Sequence, residues 1–283
     1  MPKTIVINSS NFVQGSGNRY VYQFPTTCKF DAGSSIAVAN ISIYNSLQNI
    51  TAQRGNNSLV FNFLGTNYTF LIPDGYYSIG DLNYYLQNQC ILNGLYCTAN
   101  SGSSNVYFIE LAINSVRYAT SLNFYTVPTS AQAVALGYSQ PANATWSYPA
   151  SAQTPTLTFN QIWGNLVGQT FGTYPAVRTA NIQLLSTQTP VISPRDSLIF
   201  CCNLVSSKYS IPSNVFYTVP ISASVGSMIL FNNASLVYNS IIPQNFSNLE
   251  ITIYNQLFEP VILLDREMTL TLSIIDGQEL LLK

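Results

Sequence analysis

Short runs of β-branched and aromatic residues recur along this chain, parted by clusters of Gly, Pro, Asn and Ser. That rhythm predicts strands joined by turns. The first runs are residues 3–8, 19–24 and 35–44. In the second, Tyr20, Tyr22 and Phe24 alternate with Val21 and Gln23. In the third, Ile36 and Val38 share one parity while Ile41 and Ile43 share the other, which predicts a strand partly buried on both faces. Residues 58–64 and 67–72 predict a hairpin about Gly65-Thr66. Strand patterns return at 105–113 and 122–127, and then at 180–185, 198–205, 215–220, 227–231, 236–239, 249–254 and 268–275.

One segment has a helical period instead. After the turn signal Pro73-Asp74-Gly75, Ser78 is a good N-cap and Asp81 stands three residues on, as in a capping box. Tyr77 and Leu82 sit at the positions of a hydrophobic staple, and Gly94 supplies a stop. Ile79, Leu82, Leu86 and Cys90 fall on one face. The spacing predicts a helix over about residues 78–92, packed on a small sheet. A second short helix is predicted at 130–136. Residues 137–175 hold both tryptophans, Trp146 and Trp163, among Ala, Pro, Gly, Gln, Ser and Thr. They read as irregular.

Many short strands with turn signals every 8–12 residues argue for an all-β sandwich. The assembly that uses them best is a single jelly roll. Its N-terminal strands lie in residues 1–46 and its C-terminal strands in 180–283. Residues 47–179 form a mixed β/α insertion domain on one loop, since loop closure entropy grows only slowly with length.

Composition sharpens this picture. Apolar residues make up 47% of the 283, but charged residues only 7%, with formal net charge −1 and 19 tyrosines. Ordinary chains carry about 25% charge. Interface cores are depleted in charge and enriched in Tyr, so an obligate oligomer is expected. Ten basic residues, among them Arg54, Arg117, Arg178 and Arg195, are scattered singly, which argues against nucleic-acid binding. No stretch nears the length of a membrane span, and residues 1–10 lack an apolar signal core, so an intracellular protein is expected. Five cysteines, two of them adjacent at Cys201-Cys202, do not read as a disulfide framework. Neighbours on a strand face opposite ways, and buried structural thiols are expected there. Asn-X-Ser/Thr sequons at Asn40, Asn49, Asn67, Asn143, Asn233 and Asn245 are read as unmodified.

The search for chemistry is short. The chain has no histidine, which removes Ser-His-Asp and Cys-His systems and histidine metal sites. No phosphate-binding glycine loop occurs, and Cys28, Cys90 and Cys97 lack zinc spacing. Asp265 and Glu267 are the one close pair of carboxylates on a shared strand face, but Asp265-Arg266-Glu267 reads more simply as a polar turn. Asp74-Gly75 lacks the flanking oxygens of a calcium loop. Tyr76-Tyr77 and Tyr84-Tyr85 could form an aromatic sugar platform, or be core and interface residues. The expectation is no enzyme, with no catalytic, metal or cofactor site.

Three parts of the chain together are similar to a known family. The first is Arg19-Tyr20-Val21-Tyr22-Gln23-Phe24-Pro25, continuing to Ile36 through Tyr44. The second is Ile72-Pro73-Asp74-Gly75-Tyr76-Tyr77-Ser78-Ile79 with Asp81-Leu82-Asn83. The third comprises 197–205, 215–221, 226–231 and 249–275. In order and spacing they resemble the penton, or minor capsid, proteins of virophages, Polinton-type elements and related eukaryotic double-stranded DNA viruses. The resemblance implies a structural protein of the virion: a jelly roll forming a homopentamer at the icosahedral vertex, with the insertion projecting outward. It implies the surrounding major capsid protein as a partner, with residues 1–10 and 278–283 as candidate contacts, and assembly in cytoplasmic viral factories. The alternative is an attachment module, a fibre head or lectin-like sandwich, binding a host receptor or glycan through the insertion.

Overall fold

The computed structural model describes residues 2–99, 102–191 and 196–277. The expected contact segment 278–283 lies outside them. The chain opens with β1 (Lys3–Asn8), β2 (Arg19–Lys29) and β3 (Ser35–Tyr44). It continues through β4 (Ser58–Phe63), β5 (Thr66–Leu71), α1 (Ile79–Leu92), β6 (Cys97–Ala99), β7 (Ser104–Val106), β8 (Ile109–Asn114) and β9 (Ala119–Phe124). Next come α2 (Ser130–Leu136), β10 (Thr156–Phe159), α3 (Gln161–Val167), β11 (Gly172–Tyr174) and β12 (Ile182–Leu185). The final strands are β13 (Ser197–Cys202), β14 (Val215–Pro220), β15 (Met228–Asn232), the two-residue β16 (Asn239–Ser240), β17 (Asn245–Asn255) and β18 (Met268–Ile275). These elements form two compact units, Met1–Leu47 with Arg195–Lys283, and Gln48–Pro194.

The first unit is a jelly-roll sandwich. One sheet has the order β1-β18-β3-β15 with β16 beside β3, and the other β14-β13-β17-β2, all antiparallel. Early strands therefore pair with late ones, as β1 and β3 flank β18 and β2 borders β17. The inner faces meet in one apolar core that includes Ile7, Tyr20, Ile41, Phe200, Ile251 and Leu270.

The two parities of β3 have a local cause. Thr271 pairs with Asn40 but the next residue, Leu272, pairs with Val38, so Ala39 is an extra residue in a β-bulge. The bulge shifts the phase, and Ile36, Val38, Ile41 and Ile43 all join the same core. Both faces of β3 are partly buried, as the alternation predicts, but one core takes all four of these aliphatic residues. Ala37 is buried on the outer side. There it stands across from Ser273, whose hydroxyl lies 3.0 Å from that of Tyr238.

The second unit holds a four-stranded sheet, β11-β10-β4-β5, a three-stranded sheet, β12-β9-β8, and the β6-β7 ribbon. The predicted helix is α1. Ser78 Oγ accepts from Asp81 N at 3.1 Å and the Asp81 carboxylate accepts from Ser78 N at 2.9 Å, so both halves of the capping box form. Ile79, Leu82, Leu86 and Cys90 are its buried residues. Leu111 N of β8 donates to Asn83 Oδ1 at 2.9 Å, fixing the helix against that strand. Gly94 ends it with φ +66°, where a Cβ would meet Asn143 O at 2.5 Å.

Three expectations need correction here. The β4–β5 turn is Leu64-Gly65, one residue earlier than expected, and both residues have positive φ, as a two-residue turn of the type that follows strand twist requires. Residues 137–175 are irregular only in their first half. From Thr156 on they form strand, helix and strand, with Trp163 wholly buried on α3. Finally, residues 180–191 do not belong to the sandwich: β12 pairs with β9 in the insertion, Ile182 opposite Phe124.

Candidate assembly surface

The outer face of the β1-β18-β3-β15 sheet follows from the same alternation. With the even residues of β18 inward, Thr269, Thr271 and Ser273 point out. Their neighbours on the outside are Thr4, Val6 and Asn8 of β1, Asn40, Ser42 and Tyr44 of β3, and Met228, Leu230 and Asn232 of β15. None of these positions is charged. They form rows across all four strands: Val6, Thr271, Asn40 and Asn232 in one, Asn8, Thr269, Ser42 and Leu230 in the next. The Asn40 amide donates to the Asn232 side chain, and Ser42 Oγ lies 3.1 Å from Met228 Sδ. Val6 and Leu230 remain 47% and 65% exposed. Such a face can bury apolar and hydroxyl groups against a partner without stripping water from an ion, the step that makes buried charge costly.

At one end of this face lies a cleft of about 320 Å³, bounded by the turn Ser9–Asn11 and by Tyr44, Met228 and Glu267. Asn8 Oδ1 accepts from Ser10 N at 3.0 Å, and Asn11 Oδ1 from Asn8 N at 3.0 Å, so this wall is a closed capping box. Residues 2–10, part of the expected contact segment, thus form an edge of the face and a wall of the cleft.

The outer face of the other sheet is different. Arg19 and Glu250 form an ion pair there at 2.5 Å, and that hydrogen bond and charge raise the Arg19 pKa. Lys29 pairs with Asp31 at 3.0 Å in the turn after β2.

No family model matches the chain, and no curated protein matches it. Solved structures do. The chain is similar to the mavirus penton protein, at 14% identity over 98% of each chain and TM-score 0.40. It is also similar to a chain of the Sputnik virophage, at 11% identity over 99% of each chain and TM-score 0.38.

The residues singled out from the sequence are placed as follows. Asp265 Oδ1 accepts from Glu267 N at 2.9 Å, and Ser46 Oγ is bonded to both Asp265 N and Asp265 O, so the carboxylate is spent on its own turn. Between them, the Arg266 guanidinium stacks 4.6 Å over Phe12, and Arg266 O accepts from Tyr20 OH at 3.1 Å. Burial pushes the Tyr20 phenol up to about 12. Asp74 Oδ1 accepts from Ala52 N at 2.7 Å, tying its turn to the segment that follows Ile50.

The tyrosine pairs split. Tyr77 OH donates to Pro73 O and Tyr85 OH to Leu71 O, with both rings against the insertion core. Tyr76 and Tyr84 face solvent. Cys202 belongs to the sandwich core while its neighbour Cys201 is buried outside that cluster, and desolvation pushes the two thiols to about 12 and about 11. Among the described residues no three His, Cys, Asp or Glu are placed to hold a metal, and no helix is long and apolar enough to cross a membrane.

The uncharged face was not recognised as a site from the sequence. Its signal was present in the small polar residues at alternate positions of β3 and β18. Reading it requires knowing which strands are neighbours.

Proposed function

We propose that this chain is a structural capsid protein, the homopentameric penton at the five-fold vertices of an icosahedral DNA virus, seated among copies of the major capsid protein. The observation that carries this reading is the charge-free outer face of the β1-β18-β3-β15 sheet. A free monomer relies on charge for solubility. A subunit of a permanent shell hides such a face in interfaces that commonly bury about 2,000–5,000 Å². The sequence resemblance supports the same class. The role is read as structural rather than catalytic: the Asp265 carboxylate accepts from Glu267 N and so braces the turn, which leaves Glu267 as a lone exposed carboxylate rather than half of a catalytic pair.

Native mass spectrometry tests the reading. A five-membered ring is expected, formed alone or with the major capsid protein, and surviving from about 50 to about 500 mM salt with at most about a tenfold change in its half-assembly concentration, because few charges are there to screen. A stable dimer or trimer, or a monomer that turns over a substrate, overturns it.

A second reading is favoured by the solvent-facing Tyr76 and Tyr84 of the insertion, which is attachment to a host glycan or receptor. Glycan-array binding by the full chain that is lost on Tyr84→Ala would support it.

A further inference from the structure

We infer that the loop between β13 and β14 of one copy docks in the cleft beside Glu267 of a second copy, an inference that rests on the homopentamer reading and names the contact that closes the ring. The loop shapes itself. Ser207 N donates to Ser213 O at 2.7 Å across its base, and Ser207 Oγ accepts from Tyr209 N at 3.2 Å. Its apolar side chains nevertheless gain nothing from this fold. Tyr209 is 100% exposed and Ile211 95% exposed. A tyrosine held clear of its own chain on a closed loop is the kind of anchor that dominates interfaces.

Charge selects the partner. Lys208, beside Tyr209, has no ion pair among the described residues, and neither does Glu267. Glu267 is the one charged residue lining the cleft. The cleft otherwise presents hydroxyls and amides, with Met228 and Tyr44 as an apolar wall. A loop of composition Lys-Tyr-Ser-Ile matches it: the ammonium meets the carboxylate, and the tyrosine ring meets the thioether of Met228, a favourable pairing. The two surfaces are distinct. The loop belongs to the β14-β13-β17-β2 sheet and the cleft to the outside of the other. A contact between unlike patches is heterologous, which is what a cyclic ring needs.

The test uses the wild-type protein. Rings assembled from an equal mixture of ¹⁴N- and ¹⁵N-labelled chains are treated with a carbodiimide, which joins a lysine amine to a contacting carboxylate as an amide. A Lys208–Glu267 peptide of mixed isotope is expected. In addition, Lys208→Glu or Glu267→Lys alone raises the concentration for half-assembly by about tenfold, and the double reversal recovers it. Circular dichroism of the variants is expected to be unchanged, since both side chains are exposed. Rings lacking the mixed-isotope peptide, with single reversals that assemble normally or a double reversal that fails to recover, overturn this contact and leave the pentamer intact. Wild-type protein that forms no ring at any concentration, alone or with the major capsid protein, overturns both.

Discussion

Trp163 offers a direct test of how the insertion is held together, because two opposing effects meet in one side chain. Its ring is fully buried against Phe159, with centroids 4.8 Å apart, while its indole N–H is buried with no hydrogen-bond partner among the described residues. An unpartnered buried donor costs about 1–3 kcal/mol. Replacing Trp163 by Phe removes that donor and, with it, carbon surface worth two or three methylenes, about 2 kcal/mol at about 0.8 each. The two nearly cancel, and Trp163→Phe is expected to change stability by less than about 1 kcal/mol. Trp163→Ala empties the site and costs about 3–5 kcal/mol.

Urea unfolding separates these outcomes. Trp146 lies in the same unit, edge-on to Phe63 at 5.2 Å, and serves as the remaining fluorescent reporter. With a slope of about 2 kcal/mol per molar urea, the alanine midpoint falls by about 2 M and the phenylalanine midpoint by less than about 0.5 M. A phenylalanine variant as unstable as the alanine one would refute the reasoning, for it would mean that the indole N–H contributes binding rather than strain.

Further expectations follow from other local features. Deleting Ala39 restores a regular ladder in β3 and keeps Ile36, Val38, Ile41 and Ile43 inward. It costs about 1 kcal/mol, because the bond from Asn233 N to Ala39 O is lost. Deleting Ser42 instead turns Ile43 outward and costs about 2–3 kcal/mol, and equal urea midpoints for the two deletions would contradict the bulge assignment. In native protein, a thiol reagent followed by mass spectrometry is expected to label the half-buried Cys28 first, with the buried Cys90, Cys97, Cys201 and Cys202 reacting only on unfolding. The Ser78 hydrogen bonds hold the Asp81 carboxyl below its usual 3.8. A depressed pKa stabilises the fold above the unfolded value and is lost as pH falls through the folded one. Hydrogen-exchange protection in the first turn of α1, the rate relative to an unstructured chain at the same pH, is therefore expected to fall below about pH 4, and Ser78→Ala is expected to remove that pH dependence.

Much of this protein was decided locally and was therefore readable in the chain. The α1 capping box, its four-residue apolar face and its glycine stop act within a few residues of one another, and each is found where the pattern places it. The strands of the jelly roll are likewise written in alternation and turn residues. α3 was legible too, in the Asn160 cap, the Trp163, Leu166 and Val167 spacing and Gly168, but lay hidden in a composition that reads as loop. What tertiary structure alone decided is pairing. β12 carries the same strand signal whichever sheet it joins, and only its register with β9 assigns it to the insertion. The parity shift in β3 could have meant two buried faces. Only the neighbouring β18, which skips Ala39, turns both halves to one core. The uncharged face exists for the same reason: its residues come from four strands far apart in sequence, and backbone hydrogen bonds across the sheet, not any local preference, bring them onto one surface.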